Sequence, residues 1–533
     1  MAAAASEPAG GVDPTRRGAW VGAVLLCMAV GVGLASLAYP FGRDQGLFQV
    51  VGRGWVHGEL PYRDLFEQKT PWIFLVHALT YVMFGSNAWG VRVVELLFLL
   101  VVGVVGGRTL ARWAGVAAPG GFGGLGAFAA VGCYLGLLSF WDTAQCEVWV
   151  AGFTILAVAV GRARPQAGWA GLCFGLALLA KPPGLLLLPG VVVAVISGVL
   201  AAGGRGGAIA RAALVFGLAA SVPWVLFLGG FAAVGALDDV MDVLVRANRH
   251  YVAHEAGVDS FGGLLVGITD GLWIFGLPLW VGGAATAVQA LRSAALRQRE
   301  PALLAATCTL LVAGAATAVT VQGKFFVYHY GVLLLAGAFA LVGAVAWLGR
   351  PGGVAASWSA GVLPALGGLA VLHLVAGSPA VVVWSSHVRG VRHLVLDGGR
   401  EVYCEAFRTV NYDACINEDV GRWLAAHAAP GDRVAVRGFE PAIYTESDLP
   451  PATRFFWTAW LTDDRRAYRR RDWRAQDLGQ LQADPPRWVV TLARAEEGPD
   501  SAGYFGWTPY VERASFGPLT VLERVDEAVP EAP

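Results

Sequence analysis

Long apolar stretches recur between Gly18 and Trp384, separated by short polar connections, and none shows the strict alternation of a half-buried strand. Runs near the ~20 residues needed to cross a bilayer must be helices, because lipid offers no partner for open backbone groups. The pattern predicts spans over 18–39, 87–110, 120–138, 146–161, 167–180, 184–201, 212–234, 263–290, 302–321, 331–349 and 359–384. Two of these are short and suit a re-entrant pair. The segment 72–85 is apolar but too short to cross comfortably, and is expected to lie along or dip into the interface. After Trp384 the pattern turns polar. There Glu418 to Ala428 reads as a helix, and Asp432 to Arg437 and Trp488 to Leu492 read as strands, the signature of a small α/β domain.

The expected organisation is therefore a cytoplasmic N-terminal tail (1–17), a membrane module (18–384) with a first outer loop at 40–71, and a soluble extracytoplasmic domain (385–533). Composition agrees: 56% hydrophobic residues, 15% charged residues and a mean hydropathy of +0.55 exclude a soluble chain of this length. Arginines at 16, 17, 108, 112, 162, 164, 205, 211, 292, 297, 299 and 350 fall on alternate connections, which places those loops and the N-terminus in the cytoplasm. The first span is read as an anchor that stays. Acidic and basic residues balance at 39 each, and nucleic acid is not an expected partner. Cys404 and Cys415 share the tail domain, where an oxidising compartment would allow them to pair.

Several cations break the positive-inside pattern: Arg43, Arg53, Arg63, Lys69, Arg92, Lys181, Arg246, Arg249 and Lys324 fall on the outer face or at outer helix ends. A buried cation costs roughly 2.5–3.5 kcal/mol on insertion scales unless it is paired, and an anionic ligand would compensate it. Lys69, Lys181 and Lys324 are the only lysines, against 36 arginines. An ammonium is a compact, rotatable point charge suited to a lipid-linked phosphate. The loop 40–71 is the richest segment, with Tyr39-Pro40-Phe41-Gly42-Arg43-Asp44-Gln45-Gly46 followed by Gly58-Glu59-Leu60-Pro61-Tyr62-Arg63-Asp64-Leu65-Phe66-Glu67-Gln68-Lys69-Thr70-Pro71. Asp44, just outside the first span, is a candidate general base for an acceptor hydroxyl. Arg43, Lys69, Lys181 and Lys324 are candidate ligands of a departing phosphate.

This order of elements resembles the GT-C superfamily of membrane glycosyltransferases. The resemblance rests on an acid after the first helix, the Gly-x-x-Pro-Tyr-Arg-Asp-x-Phe element, Lys69 before Pro71, Phe84-Gly85 with Arg92, Glu147 opening a span, Gly175 to Pro183 around Lys181, and Lys324-Phe325-Phe326-Val327-Tyr328-His329-Tyr330. Residues 18–350 are similar to protein mannosyltransferases of glycosyltransferase family 39 and to lipid A aminoarabinose transferases. The resemblance implies transfer of one sugar from a polyprenyl-phosphate carrier, without nucleotide sugar or other cofactor, to an unidentified acceptor among membrane lipids, glycans or proteins. It implies that Asp44 is the catalytic acid and that Lys69 meets the carrier phosphate. Gln45 departs from the Asp-Glu pair of many relatives, leaving Asp64 or Glu147 as the possible second acid, and Thr70 interrupts the Lys-Pro element.

Plainer roles stand beside these. Asp44 could cap a turn, Asp142 and Glu147 could interact with a helix dipole, and Lys181 could snorkel before Pro182-Pro183. His329 with Tyr328 and Tyr330 could form an interfacial aromatic belt rather than, with Arg63 and Tyr62, line a substrate pocket. His250, Tyr251, His254 and Glu255 could shape an acceptor entrance. The cluster Arg465, Arg466, Arg469, Arg470, Arg471 and Arg474 reads as a solvated helix face. No residue set has metal-ligand spacing, so no metal is expected. A lipid-linked sugar transporter, or a scaffold presenting the tail domain, remains the alternative to an enzyme of the bacterial inner membrane. Ionisable groups crowded at one face, with no half-repeat, argue against the transporter.

Overall fold

The computed structural model describes residues 14–117, 119–163, 166–254, 262–269, scattered positions between 282 and 293, 296–349, 379–396, 399–462, 469–492 and 501–525. The membrane helices are α1 (Pro14–Ala35), α3 (Pro71–Phe84), α4 (Ala88–Ala114), α5 (Gly120–Tyr134), α6 (Cys146–Ala163), α7 (Ala167–Ala180), α8 (Leu188–Ala201), α9 (Gly206–Ala233), α13 (Arg299–Gln322) and α14 (Gly331–Leu348). The polar helix α2 (Arg43–Val56) lies between α1 and α3, and α10 (Leu237–Val240), α11 (Asn248–His254) and α12 (262–269) between α9 and α13. Among the described residues seven helices are long and apolar enough to cross a membrane, where the sequence pattern suggested about eleven crossings. α3 and α7 are apolar but shorter. The expected span 359–384 lies largely outside the described residues.

Small residues let the helices approach. A Cβ on Gly171 or Gly175 of α7 would sit 2.2 Å and 2.3 Å from the carbonyl oxygens of Phe216 and Ala220 on α9. Without a hydrophobic driving force between helices in lipid, such close backbone packing is a main source of association. The outward face of α9 carries exposed Leu214, Leu218, Val225 and Leu226, as a lipid-facing helix should.

The first outer loop is not an open connection. Residues 43–56 form α2, with Asp44 in its first turn and Arg53 in its last, both placed favourably for the helix dipole. Every residue from Gln45 to Gly54 is buried. Its low apolar content and three glycines concealed the helix from a hydropathy reading.

The C-terminal region comprises α15 (Pro379–Leu396), which runs unbroken through positions 384 and 385, α16 (Arg400–Ala406), α17 (Ala414–His427), α18 (Ala442–Ser447), α19 (Ala459–Thr462) and α20 (Arg470–Ala483). Asp413 caps α17 by accepting the amides of Cys415 and Ile416. A two-residue hairpin pairs β1 (Arg408–Thr409) with β2 (Tyr412–Asp413), and the Cys404–Cys415 disulfide brackets it. The four-stranded sheet has the order β3-β4-β6-β5, formed by β3 (Val434–Val436), β4 (Trp488–Leu492), β5 (Tyr510–Phe516) and β6 (Leu519–Arg524). β3 runs parallel to β4, and the remaining pairs are antiparallel. Trp460, Trp473 and Trp488 are buried around it.

α2 joins this unit to the membrane helices. Arg53, only 5% exposed, donates to the Tyr444 carbonyl at 3.0 Å, to Asp448 at 2.9 Å and to the Leu449 carbonyl at 2.7 Å. At the other end of α2, Arg43 pairs with Glu440 at 2.8 Å. Tyr412 donates to the Phe41 carbonyl at 2.7 Å, and Arg454 donates to the Tyr62 carbonyl at 2.6 Å. Replacing Arg53 by Ala leaves two buried carbonyls without donors, at about 1–3 kcal/mol each. The Arg53→Ala protein should therefore exchange the amides of α18 faster than wild type and lose several degrees of thermal midpoint, whereas an unchanged exchange pattern would show that α2 does not carry the docking.

Candidate functional site

Four elements meet at one end of the helix bundle: the start of α2, the segment just before α3, the start of α6 with the end of α7, and the turn before α14. Thr70, immediately before α3, donates its hydroxyl to the carbonyl of Ala180. This contact sets Lys69 and Lys181 side by side. Asn248 of α11 adds a bond to the Gln68 carbonyl at 3.0 Å.

The two lysines flank one phenol. The Lys69 Nζ lies 5.0 Å from the centre of the Tyr328 ring and 3.5 Å from its hydroxyl, and the Lys181 Nζ lies 5.6 Å from the same centre. Each ammonium has its own carboxylate. Lys181 meets Glu147 at 2.5 Å, and Lys69 stands 3.7 Å from Asp44. The looser pair leaves Asp44 partly available, and Gln145 donates to it at 3.2 Å. Burial disfavours the Lys69 ammonium, but Tyr328, Asp44, Cys146 and Glu147 together more than offset that cost and hold its pKa well above the ordinary lysine range.

The loop 139–145 is pinned from two sides. Gln45 donates to the carbonyls of Thr143 at 2.5 Å and Trp141 at 3.1 Å. Arg92 donates to the Thr143 hydroxyl at 2.6 Å and to the Phe140 carbonyl at 3.0 Å, and Glu95 accepts the Ala144 amide. Gln45 thus positions the segment that holds Gln145 against Asp44. Within this loop Asp142 accepts the Ser139 hydroxyl at 2.6 Å, and burial pushes its carboxyl up to about 6.

A group that the sequence reading passed over is Glu67. It is 1% exposed, one carboxyl oxygen accepts the Lys69 amide at 3.3 Å, and the other has no hydrogen-bond partner in the structure. Its only sequence signal was a place two residues before Lys69. Burial pushes its pKa up to about 7, with Lys69 opposing and Asp44 reinforcing the rise.

Other anticipated residues are placed differently. Asp64 accepts the Leu60 amide at 2.7 Å and pairs with the half-exposed Arg63 at 3.1 Å. Both line a cleft with Arg433, Arg454 and Asp484 of the C-terminal unit, so they are turned toward that unit. Tyr62 is fully buried among Phe74, Phe227 and Phe231, and its hydroxyl donates to the Lys69 carbonyl at 2.9 Å. It supports the backbone that carries Lys69 rather than lining a pocket. Arg43 points away from Lys69 into the C-terminal unit, over the rings of Phe439, Tyr412 and Trp141, and cannot serve a phosphate there while held by Glu440. Lys324 lies over the Tyr251 ring, His329 is 3% exposed against Phe326 and Tyr328, and Tyr330 donates to the Gly267 carbonyl at 2.8 Å. Among the described residues no three His, Cys, Asp or Glu side chains converge as a metal site would require.

The constellation can bind an anion between two ammonium groups while a carboxylate stands beside it. No family model and no curated relative matches the chain. Solved structures do. The crystal structure of ArnT from Cupriavidus metallidurans bound to undecaprenyl phosphate is similar over 96% of this chain and 99% of that one, at 17% identity and a TM-score of 0.56. The same protein in its apo state is similar over 94% and 97%, at 16% identity and a TM-score of 0.53. The chain is thus a polytopic helical membrane protein with a C-terminal α/β unit that shares the fold of ArnT.

Proposed function

We propose that the protein is a polyprenyl-phosphate-sugar-dependent glycosyltransferase that moves one sugar onto a hydroxyl acceptor at the outer face of the bacterial cell membrane. The observation that carries this reading is the meeting of Asp44, Lys69, Tyr328 and Lys181 at the bundle end that also holds the C-terminal unit. The neighbour bound to undecaprenyl phosphate supports a lipid-linked donor. The arginine pattern supports a cytoplasmic N-terminus and an extracytoplasmic C-terminal unit.

In the reaction the acceptor oxygen attacks the anomeric carbon while Asp44 takes its proton. The new oxygen–carbon bond forms as the bond to the carrier phosphate breaks, and polyprenyl phosphate leaves with the electron pair. Lys69, loosely held, turns from Asp44 to the phosphate, and Lys181 supports the same charge from across Tyr328. Such charge-assisted donors act where charge develops. A single displacement inverts the anomeric centre. Glu147 keeps Lys181 in place before the donor arrives.

Asp44→Asn removes the base but keeps the side chain's shape, and its kcat should fall by roughly 10²–10⁴ with donor KM little changed. Release of free polyprenyl phosphate by the purified protein from a panel of polyprenyl-phosphate sugars measures this. Equal release by wild type and Asp44→Asn would remove Asp44 from the mechanism, and no release by either protein with any acceptor extract would favour transport or scaffolding. Lys69→Ala should lower kcat/KM in the same assay by roughly 10²–10³.

Glu67 makes donor binding depend on pH. Its pKa of about 7 means that the carboxyl is neutral in the folded protein on the acid side and adds a negative charge beside Lys69 as pH rises. Between the ordinary carboxylate range and about pH 7 the native state keeps a proton that the unfolded chain has released, so stability also declines over that interval. Donor KM should rise as pH goes from about 6 to about 8, and Glu67→Gln should flatten the rise. An equally steep profile in Glu67→Gln would assign the dependence to another group.

A further inference from the structure

Asp44 meets two groups, and both touch the same oxygen. Gln145 donates through Nε2 to Oδ2 at 3.2 Å, and the Lys69 ammonium stands 3.7 Å from that same Oδ2. Among the described residues no group bonds Oδ1, and the side chain is 23% exposed. A free carboxylate is symmetric about its Cβ–Cγ bond and can turn either oxygen to a reactant. Here one oxygen is held and the other is open.

The hold from Gln145 is built into the fold. Gln145 is 1% exposed and stands immediately before α6. Its Nε2 lies between two acceptors, Asp44 Oδ2 and the Trp141 carbonyl at 3.4 Å, which fixes the direction of the amide. Turned over, its Oε1 would face both acceptors with no proton between them. In the structure that Oε1 is enclosed without a partner. A buried acceptor left unmet is costly, and an apolar side chain of the same shape would fill the space without that cost, so the amide is explained by its donor end. The backbone behind it is fixed as well. Gln45 and Arg92 bind carbonyls and the Thr143 hydroxyl of the loop 139–145, and Glu95 accepts the Ala144 amide.

The two contacts on Oδ2 respond differently to a bound donor. In the proposed reaction Lys69 turns from Asp44 to the carrier phosphate, and its contact is already loose. Gln145 is neutral, so the phosphate does not draw it away, and among the described residues it then remains to fix the carboxylate. An amide N–H can only donate. It keeps its hydrogen bond while the lone pair of Oδ2 that faces it carries no proton.

We propose that Gln145 is the positioning residue of the transfer, anchoring Oδ2 so that Oδ1 is the oxygen presented to the acceptor. The acceptor hydroxyl gives its proton to Oδ1, and its electron pair forms the new bond to the anomeric carbon. The bond to the carrier phosphate breaks with its electrons going to the phosphate. Oδ2 keeps its bond from Gln145 as Asp44 becomes neutral. The proposal rests on the transferase reading and adds which oxygen of the base is used and what aims it.

The test uses the full chain in lipid nanodiscs and Gln145→Met, which keeps the length and packing of the side chain and removes the amide. The Trp141 carbonyl retains its bond from Gln45 at 3.1 Å in that variant. In protein isotopically labelled at the side-chain carboxyl carbon of aspartate, the Asp44 NMR resonance is identified by its loss in Asp44→Asn. It should move in Gln145→Met. In the polyprenyl phosphate release assay Gln145→Met should lower kcat by roughly 10–100-fold, the effect of one lost hydrogen bond to a charged group, with donor KM unchanged. Added to Asp44→Asn, it should lower the residual kcat no further, because its effect passes through the carboxylate. Thermal unfolding checks that each variant is folded.

An Asp44 resonance that stays in place in Gln145→Met, or an equal loss of kcat in the Asp44→Asn background, would overturn the proposal, the second result assigning Gln145 a packing role. The two readings fail separately. A moved resonance with no polyprenyl phosphate release by wild type from any sugar would leave Gln145 holding Asp44 and the transferase reading wrong. Release by wild type that Gln145→Met leaves unchanged would do the reverse.

Discussion

Cations at the ends of apolar helices need counter-charges, and the arrangement of those counter-charges organises this molecule. Lys181 is held tightly by Glu147, whereas Lys69 is held loosely by Asp44, and Tyr328 stands between the two ammonium groups. The asymmetry matters more than the number of pairs. A tight buried pair is already satisfied and exchanges partners reluctantly, while a pair at 3.7 Å can accept a competing anion at lower cost. The structure therefore separates a lysine that stays from one that can move.

The second organising element is α2, a buried polar helix with a different task on each side. Its first turn presents Asp44 to the lysines. Gln45 pins the loop 139–145, and Arg43 and Arg53 clamp the C-terminal unit. A backbone fixed at so many points holds Asp44 with little freedom, which is the preorganisation that the proposed proton transfer requires. It also means that the C-terminal unit is mechanically continuous with the cluster of Asp44 and the two lysines.

The membrane class, most span positions and the small α/β tail were legible in the chain, and so was the concentration of charge around Asp44 and Lys69, because apolar runs and misplaced charges are local signals. The strand Trp488–Leu492 followed from periodicity in the same way, as did the helix read over Glu418 to Ala428, which starts four residues earlier, at Ala414, behind its Asp413 cap. Helix α2 was not legible, since its burial comes from neighbours distant in sequence rather than from its own apolar content. Asp64 stood as a possible second acid and Arg63 as a possible pocket residue because a charged loop does not reveal which way each side chain turns. Glu67 looked like solvated polarity, and only its enclosure makes it a titrating neighbour of Lys69.

By itself the sequence determined that the chain lives in a membrane, that it carries a polar tail, and that it spends cations where insertion is costly. These are properties of composition and short-range pattern, governed by transfer of residues from water to lipid. Tertiary structure alone decided which carboxylate faces which lysine, that Tyr62 supports backbone while Tyr328 lines the centre, and that Arg43 turns from its neighbour Asp44 toward Glu440. Those outcomes depend on contacts between residues up to 397 positions apart, and on directions that a helix end imposes on consecutive side chains.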